Sequence, residues 1–168
     1  MGKDNLLVSA AKGAVAGLVG TALMTAAMPL SLNVLRKMDL LPPQPAAPDP
    51  RKQPPAKLAQ KIAETAFDTH LDRDEAHIAG QAIHWGYGTV AGIMYGVVQS
   101  RLRLPHLLHG SLFGGLVTLA AWTLVPEMGL TPPPAEQPAP KNIDQALVLQ
   151  LYGQVVAFTF HLLGGDKA

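Results

Sequence analysis

The stretch His84-Trp85-Gly86-Tyr87-Gly88-Thr89-Val90-Ala91-Gly92-Ile93-Met94-Tyr95-Gly96 decides how this chain is read. Gly88, Gly92 and Gly96 fall four residues apart, so on a helix they form one strip without side chains, with His84 one turn earlier on the same strip. In water each interior glycine costs a helix about 1 kcal/mol relative to alanine. In a bilayer the same strip lets two backbones touch, and no water competes for the peptide groups. The surrounding segment, 79–100, carries no formal charge and is long enough to cross a hydrocarbon core of about 30 Å.

Similar segments lie on either side. Residues 6–28 are apolar apart from Lys12, and Gly13, Gly17, Thr21 and Thr25 repeat the four-residue spacing. Pro29 is expected to kink this helix where it leaves the membrane. A cleaved secretory signal is the competing reading, with Lys3 and Lys12 ahead of an apolar core and Thr25, Ala26 and Ala27 as the small residues. Against it, hydrophobicity continues through Leu30, Leu32, Val34 and Leu35 before Arg36 and Lys37 end it. A third span covers 107–125, with Gly110, Gly114 and Thr118 in one row, and a fourth covers 146–163. Trp85 opens the second span and Trp122 closes the third, which sets both indoles at one interface. The expected fold is all-α: a single integral membrane domain over 1–168, a four-transmembrane-helix bundle with Gly-xxx-Gly packing.

Between the spans the composition changes. Residues 41–55 hold seven prolines and read as an extended linker. Residues 56–70 place Leu58, Ile62 and Ala66 at helical spacing, as a short connector helix on or near the membrane surface. A second proline-rich loop occupies 131–140. The net charge of +1 gives no dense basic face, so no nucleic-acid partner is expected. The chain has no cysteine, which excludes disulfides, thiolate metal sites and cysteine nucleophiles. The only short loop carries Arg101 and Arg103 and no acid, and Lys3, Lys12 and Lys167 fall on the same side of four spans. Both termini are therefore expected in the cytoplasm.

Intramembrane polar groups are the candidates for chemistry, because each is expensive in lipid. They are His84 in the second span and Gln150, Gln154 and His161 in the fourth. Their simplest role is hydrogen bonding between helices, about 0.6 kcal/mol per bond. A haem reading would use His109 and His161, from two helices near one face, with Gly110, Gly114 and Gly115 leaving room for a flat ring. His70, His77 and His84 recur every seven residues but drift around a helix, so one metal ion could not take all three, and no metal site is expected. No serine sits in a nucleophile elbow, and no catalytic residue is assigned.

In this pattern the chain resembles the YagU-type family of small bacterial inner-membrane proteins. The likeness rests on the glycine-rich first span, Tyr95-Gly96, Pro105, Gly110 and Gly114, Gly153, and the exit Met128-Gly129-Leu130-Thr131-Pro132-Pro133. The proline-rich, cysteine-free first loop departs from that pattern. The resemblance implies an inner-membrane address with the Gly-Leu-Thr-Pro-Pro loop outside, and it supplies no catalytic residue. The functional expectation is a structural or accessory membrane subunit, or a homo-oligomer in the lipid bilayer, packed through Gly13, Gly17, Gly88, Gly92, Gly96, Gly110 and Gly114, without catalysis or cofactor. A transport or proton-handling protein, and a small b-type haem protein, are the alternatives.

Overall fold

The structure, a computed structural model, describes residues 3–43, 49–102 and 104–165. Arg103 and Lys167, counted above toward orientation, lie outside the described residues. Among the described residues five helices account for most of the length: α1 (Lys3–Lys37), α2 (Pro54–Phe67), α3 (Arg73–Leu102), α4 (His106–Glu127) and α5 (Ala139–Leu162). Short 3-10 turns at Pro50–Lys52 and Pro134–Glu136 interrupt the two proline-rich loops.

Helix ends follow local chemistry. The charged run before α3 is a capping box: Asp72 Oδ1 accepts from the Asp74 and Glu75 amides, both at 2.8 Å, and Glu75 Oε2 accepts from the Asp72 amide at 2.9 Å. Pro54 and Pro55 occupy the first turn of α2, where no amide hydrogen is needed, and Asp68 closes that helix at φ +50°. Gly129 ends α4 at φ +72°, with its amide donating to Pro126 O and that of Leu130 to Val125 O, a Schellman close. The distinctive exit motif is thus a helix stop, and Leu130 is buried beneath it.

Helix α1 continues through Pro29 to Lys37, further than the span expected over 6–28. Its 35 residues reach roughly 52 Å at 1.5 Å per residue, longer than a hydrocarbon core of about 30 Å. The connector helix runs from Pro54 to Phe67, two residues earlier than the expected 56–70 at its start. Helix α5 begins at Ala139, within the loop expected over 131–140, because Pro138 and Pro140 suit a helix start.

Helix α1 lies between α3 and α5, α4 packs on α5, and α2 lies along α3. Lys12 Nζ donates to Gly164 O at 3.1 Å, joining the N-terminal half of α1 to the end of α5. This bond caps carbonyls at the negative end of the α5 dipole and explains a lysine within an apolar run. The α3–α4 turn shares that end of the bundle, since His106 stacks on His161 with ring centroids 4.7 Å apart. At the opposite end α1 leaves through Arg36 and Lys37, and α2 meets the α4–α5 loop.

Among the described residues two helices are long and apolar enough to cross a membrane: 6–37, with mean hydropathy 1.7, and 106–127, with 1.5. In α3 the apolar content is diluted by five glycines together with His77, Gln81, His84 and Gln99. In α5 it is diluted by Gln145, Gln150, Gln154 and His161.

Candidate functional site

Two glycine seams hold the helices together. In the first, α1 meets α3. A Cβ at Gly92 would stand 2.4 Å from Gly13 O and 2.5 Å from Gly17 Cα, and one at Gly96 2.3 Å from Ser9 O. At Gly88 the obstacle is the Thr21 side chain. In the second seam α4 meets α5: a Cβ at Gly153 would lie 2.5 Å from Gly110 O and 2.6 Å from Gly114 N. Gly20, outside the expected set, brings α1 onto Tyr152 and Val156 of α5. Gly13, Gly17, Gly88, Gly92, Gly96, Gly110 and Gly114 all lie on these seams. Every one is therefore occupied within a single chain, so a second copy would have to use another face.

A cluster of rings closes the gap between the seams. Tyr95, 1% exposed, projects from α3 and stacks on His109 of α4 with centroids 4.4 Å apart. It also meets Phe113 edge-on at 5.2 Å and Phe160 of α5 at 5.6 Å. Gln99 Nε2 donates to Leu104 O at 2.7 Å, which leaves its Oε1 to accept from His109 Nδ1. One amide thus ties the α3–α4 turn to the first turns of α4. Sequence reading missed both residues in this role; the clue was a lone glutamine three residues after the last strip glycine.

The candidate polar residues fall in separate places. His84 bonds Thr25 Oγ1 at 3.0 Å, and because Thr25 donates its own hydrogen to Thr21 O, the imidazole is the donor. Tyr152, also unread from sequence, donates to Gly88 O at 2.7 Å, a carbonyl that the absence of side chains leaves reachable. Gln154 bonds Ser111 and Leu107 across the second seam, while Gln150 rests against Gly114. His109 faces Tyr95 and His161 faces His106, so the two imidazoles of the haem reading are each stacked on a different ring. His70 pairs with Glu64 at 2.8 Å and His77 is exposed, so the three histidines spaced by seven do not converge. Among the described residues no group of three or more His, Cys, Asp or Glu could hold a metal ion.

Outside the seams, α2 forms a buttress. Its small face packs on α3, with Ala56 3.0 Å from where a Gly80 Cβ would stand. Its polar face reaches the exit motif: Lys57 Nζ donates to Leu130 O at 3.1 Å and Lys61 Nζ to Met128 O at 3.3 Å. Both lysines thereby answer carbonyls at the C-terminal end of α4, where cations are favoured. A shallow groove of about 680 Å³ lies between α2 and this loop, bordered by Arg51, Gln60 and His70. Beside it Arg51 hydrogen-bonds Asp49 and holds that carboxyl below its ordinary range.

These features define a class: an all-helical bundle with two membrane-length apolar helices, joined by glycine contacts. The chain belongs to the DUF1440 family of proteins of unknown function, whose family model matches residues 36–160. This is the YagU-like family that the sequence resembles, and the match rests on α2 to α5. No curated protein and no solved structure matches the chain.

Proposed function

We propose that the protein crosses the bacterial inner membrane four times, through α1, α3, α4 and α5, and acts as a structural or accessory membrane component without catalysis of its own. The observation that carries this reading is the apolar surface. The helix contacts hold glycines and polar groups, with Ser9, Thr21, Gln99, His109 and Thr118 buried, beside an apolar core that includes Tyr95, Tyr152, Val156 and Phe160. Large apolar side chains point outward on all four long helices: Leu18 on α1, Met94 on α3, Leu116 on α4 and Leu147 on α5 are 42%, 60%, 62% and 65% exposed. Apolar faces of that extent are unfavourable in water and suited to lipid. Four crossings also agree with the shared end of α1, α5 and the α3–α4 turn. Lys12 and Arg101 at that end favour a cytoplasmic position for it.

Topology reporters test this directly. Fusions after Leu104 and after Gly165 should report the cytoplasm, and a fusion after Pro134 the outside. Three fusions reporting one compartment would exclude the hairpin of α3 and α4.

Transport or proton handling is the second reading, supported by the buried Gln99–His109 pair beside Tyr95. In the structural reading no resident cofactor is held, and the purified protein should be colourless, with His161→Gln folding as the parent does. A Soret band that His109→Gln and His161→Gln each abolish would establish the haem alternative instead.

A further inference from the structure

The outer side of the α4–α5 contact carries a polar pair, with Gln154 Nε2 donating to Ser111 Oγ at 2.8 Å. One turn from Gln154, near the middle of α5, lies Gln150. Its Oε1 stands 2.8 Å from where a Gly114 Cβ would be, and among the described residues its amide makes no hydrogen bond. One turn after Ser111, the position that would supply a matching hydroxyl is Gly115, where a Cβ would meet nothing within 4 Å. The groove between α4 and α5 therefore has a partnerless amide beside an open notch in the adjacent helix.

We propose that a second copy of this chain covers the groove, with the two Gln150 amides bonding each other across a two-fold axis along the membrane normal. This rests on the four-span reading. An amide carries both a donor and an acceptor, so it complements itself across such an axis, as an isologous contact requires. Two copies inserted in the same orientation place their Gln150 residues at equal depth. Lipid tails offer the amide no hydrogen bond, and a buried amide without one is costly. The notch at Gly115 admits the approaching helix, and Leu119 (58% exposed), one turn further along α4, adds apolar surface beside it. The partner is thus another copy of the chain, bound through α4 and α5 and not through the glycine seams.

The absence of cysteine makes the test clean, since one introduced thiol can form a disulfide only between molecules. Membranes containing Leu119→Cys should yield a covalent dimer on oxidation, and membranes containing Val90→Cys, on the outward face of α3, should not. Adding Gly115→Ser gives Gln150 an intrachain hydroxyl, and adding Gln150→Leu removes the amide; each should lower the dimer yield roughly fivefold, given the strength of interhelical polar contacts. The same membranes are first washed with alkali. Release of the protein overturns the four-span reading, and the interface with it. Retention with no more dimer from Leu119→Cys than from Val90→Cys means that lipid or another protein covers the groove, and overturns the interface alone. A dimer indifferent to both Gly115→Ser and Gln150→Leu overturns the amide pairing.

Discussion

Gly92→Leu is expected to separate α1 from α3 and leave no stable bundle. Overpacking a core usually costs about 1–3 kcal/mol because neighbouring side chains shift. Here nothing flexible can shift: the new Cβ would meet Gly13 O at 2.4 Å, Gly17 Cα at 2.5 Å and Gly17 N at 2.7 Å, all backbone. The helices must move apart along the whole seam, so the loss should reach about 3 kcal/mol or more. Val90→Leu, at a position 56% exposed on the same helix, places the same leucine side chain on the outward face and should change nothing. Thermal unfolding in mild detergent compares the two. Equal midpoints for Gly92→Leu, Val90→Leu and the parent would show that α1 and α3 do not touch there.

Tyr95→Ala should have the next largest effect, about 3 kcal/mol, the lower range for deleting a buried aromatic. In the four-span reading lipid removes part of the usual transfer term, because a membrane interior is itself apolar; what remains is the cavity and the lost ring contacts. Three rings depend on Tyr95: His109 and Phe113 on α4, and Phe160 on α5. Helix α3 otherwise reaches α4 mainly through their shared turn, so the deletion should loosen that side of the bundle more than the α1–α3 seam. Tyr95→Phe keeps the stacking surface and should recover most of the stability. Unfolding of both variants in one detergent measures the difference, and an alanine variant as stable as the parent would remove the ring cluster from the account.

How much of this was legible in the sequence depended on the kind of signal. The long helices could be placed because glycines at intervals of four and flanking prolines are local features. Their ends were less so: Pro138 and Pro140 read as loop, although a proline is tolerated in a first helical turn. Which strip meets which was not legible. Gly13 and Gly17 could in principle have faced the strip of α4 as well as that of α3, since a surface without side chains carries no address. The address is written in larger residues. Thr21 opposite Gly88, Tyr152 reaching Gly88 O, and Tyr95 stacked on His109 fix the order of helices, and of these only Thr21 belongs to a recognisable spacing. The mean hydropathy of α3 and α5 falls short of that of α1 and α4 for a related reason: the glycines, amides and histidines that join helices depress the average.

Lys57 and Lys61 grip carbonyls that lie 73 and 67 residues further along the chain. During synthesis α2 therefore exists well before the residues it must hold. Only once α4 has formed and turned at Gly129 can these lysines close on Met128 and Leu130. The buttress thus depends on the turn that ends α4, and a chain cut before Gly129 would leave both lysines without those carbonyls.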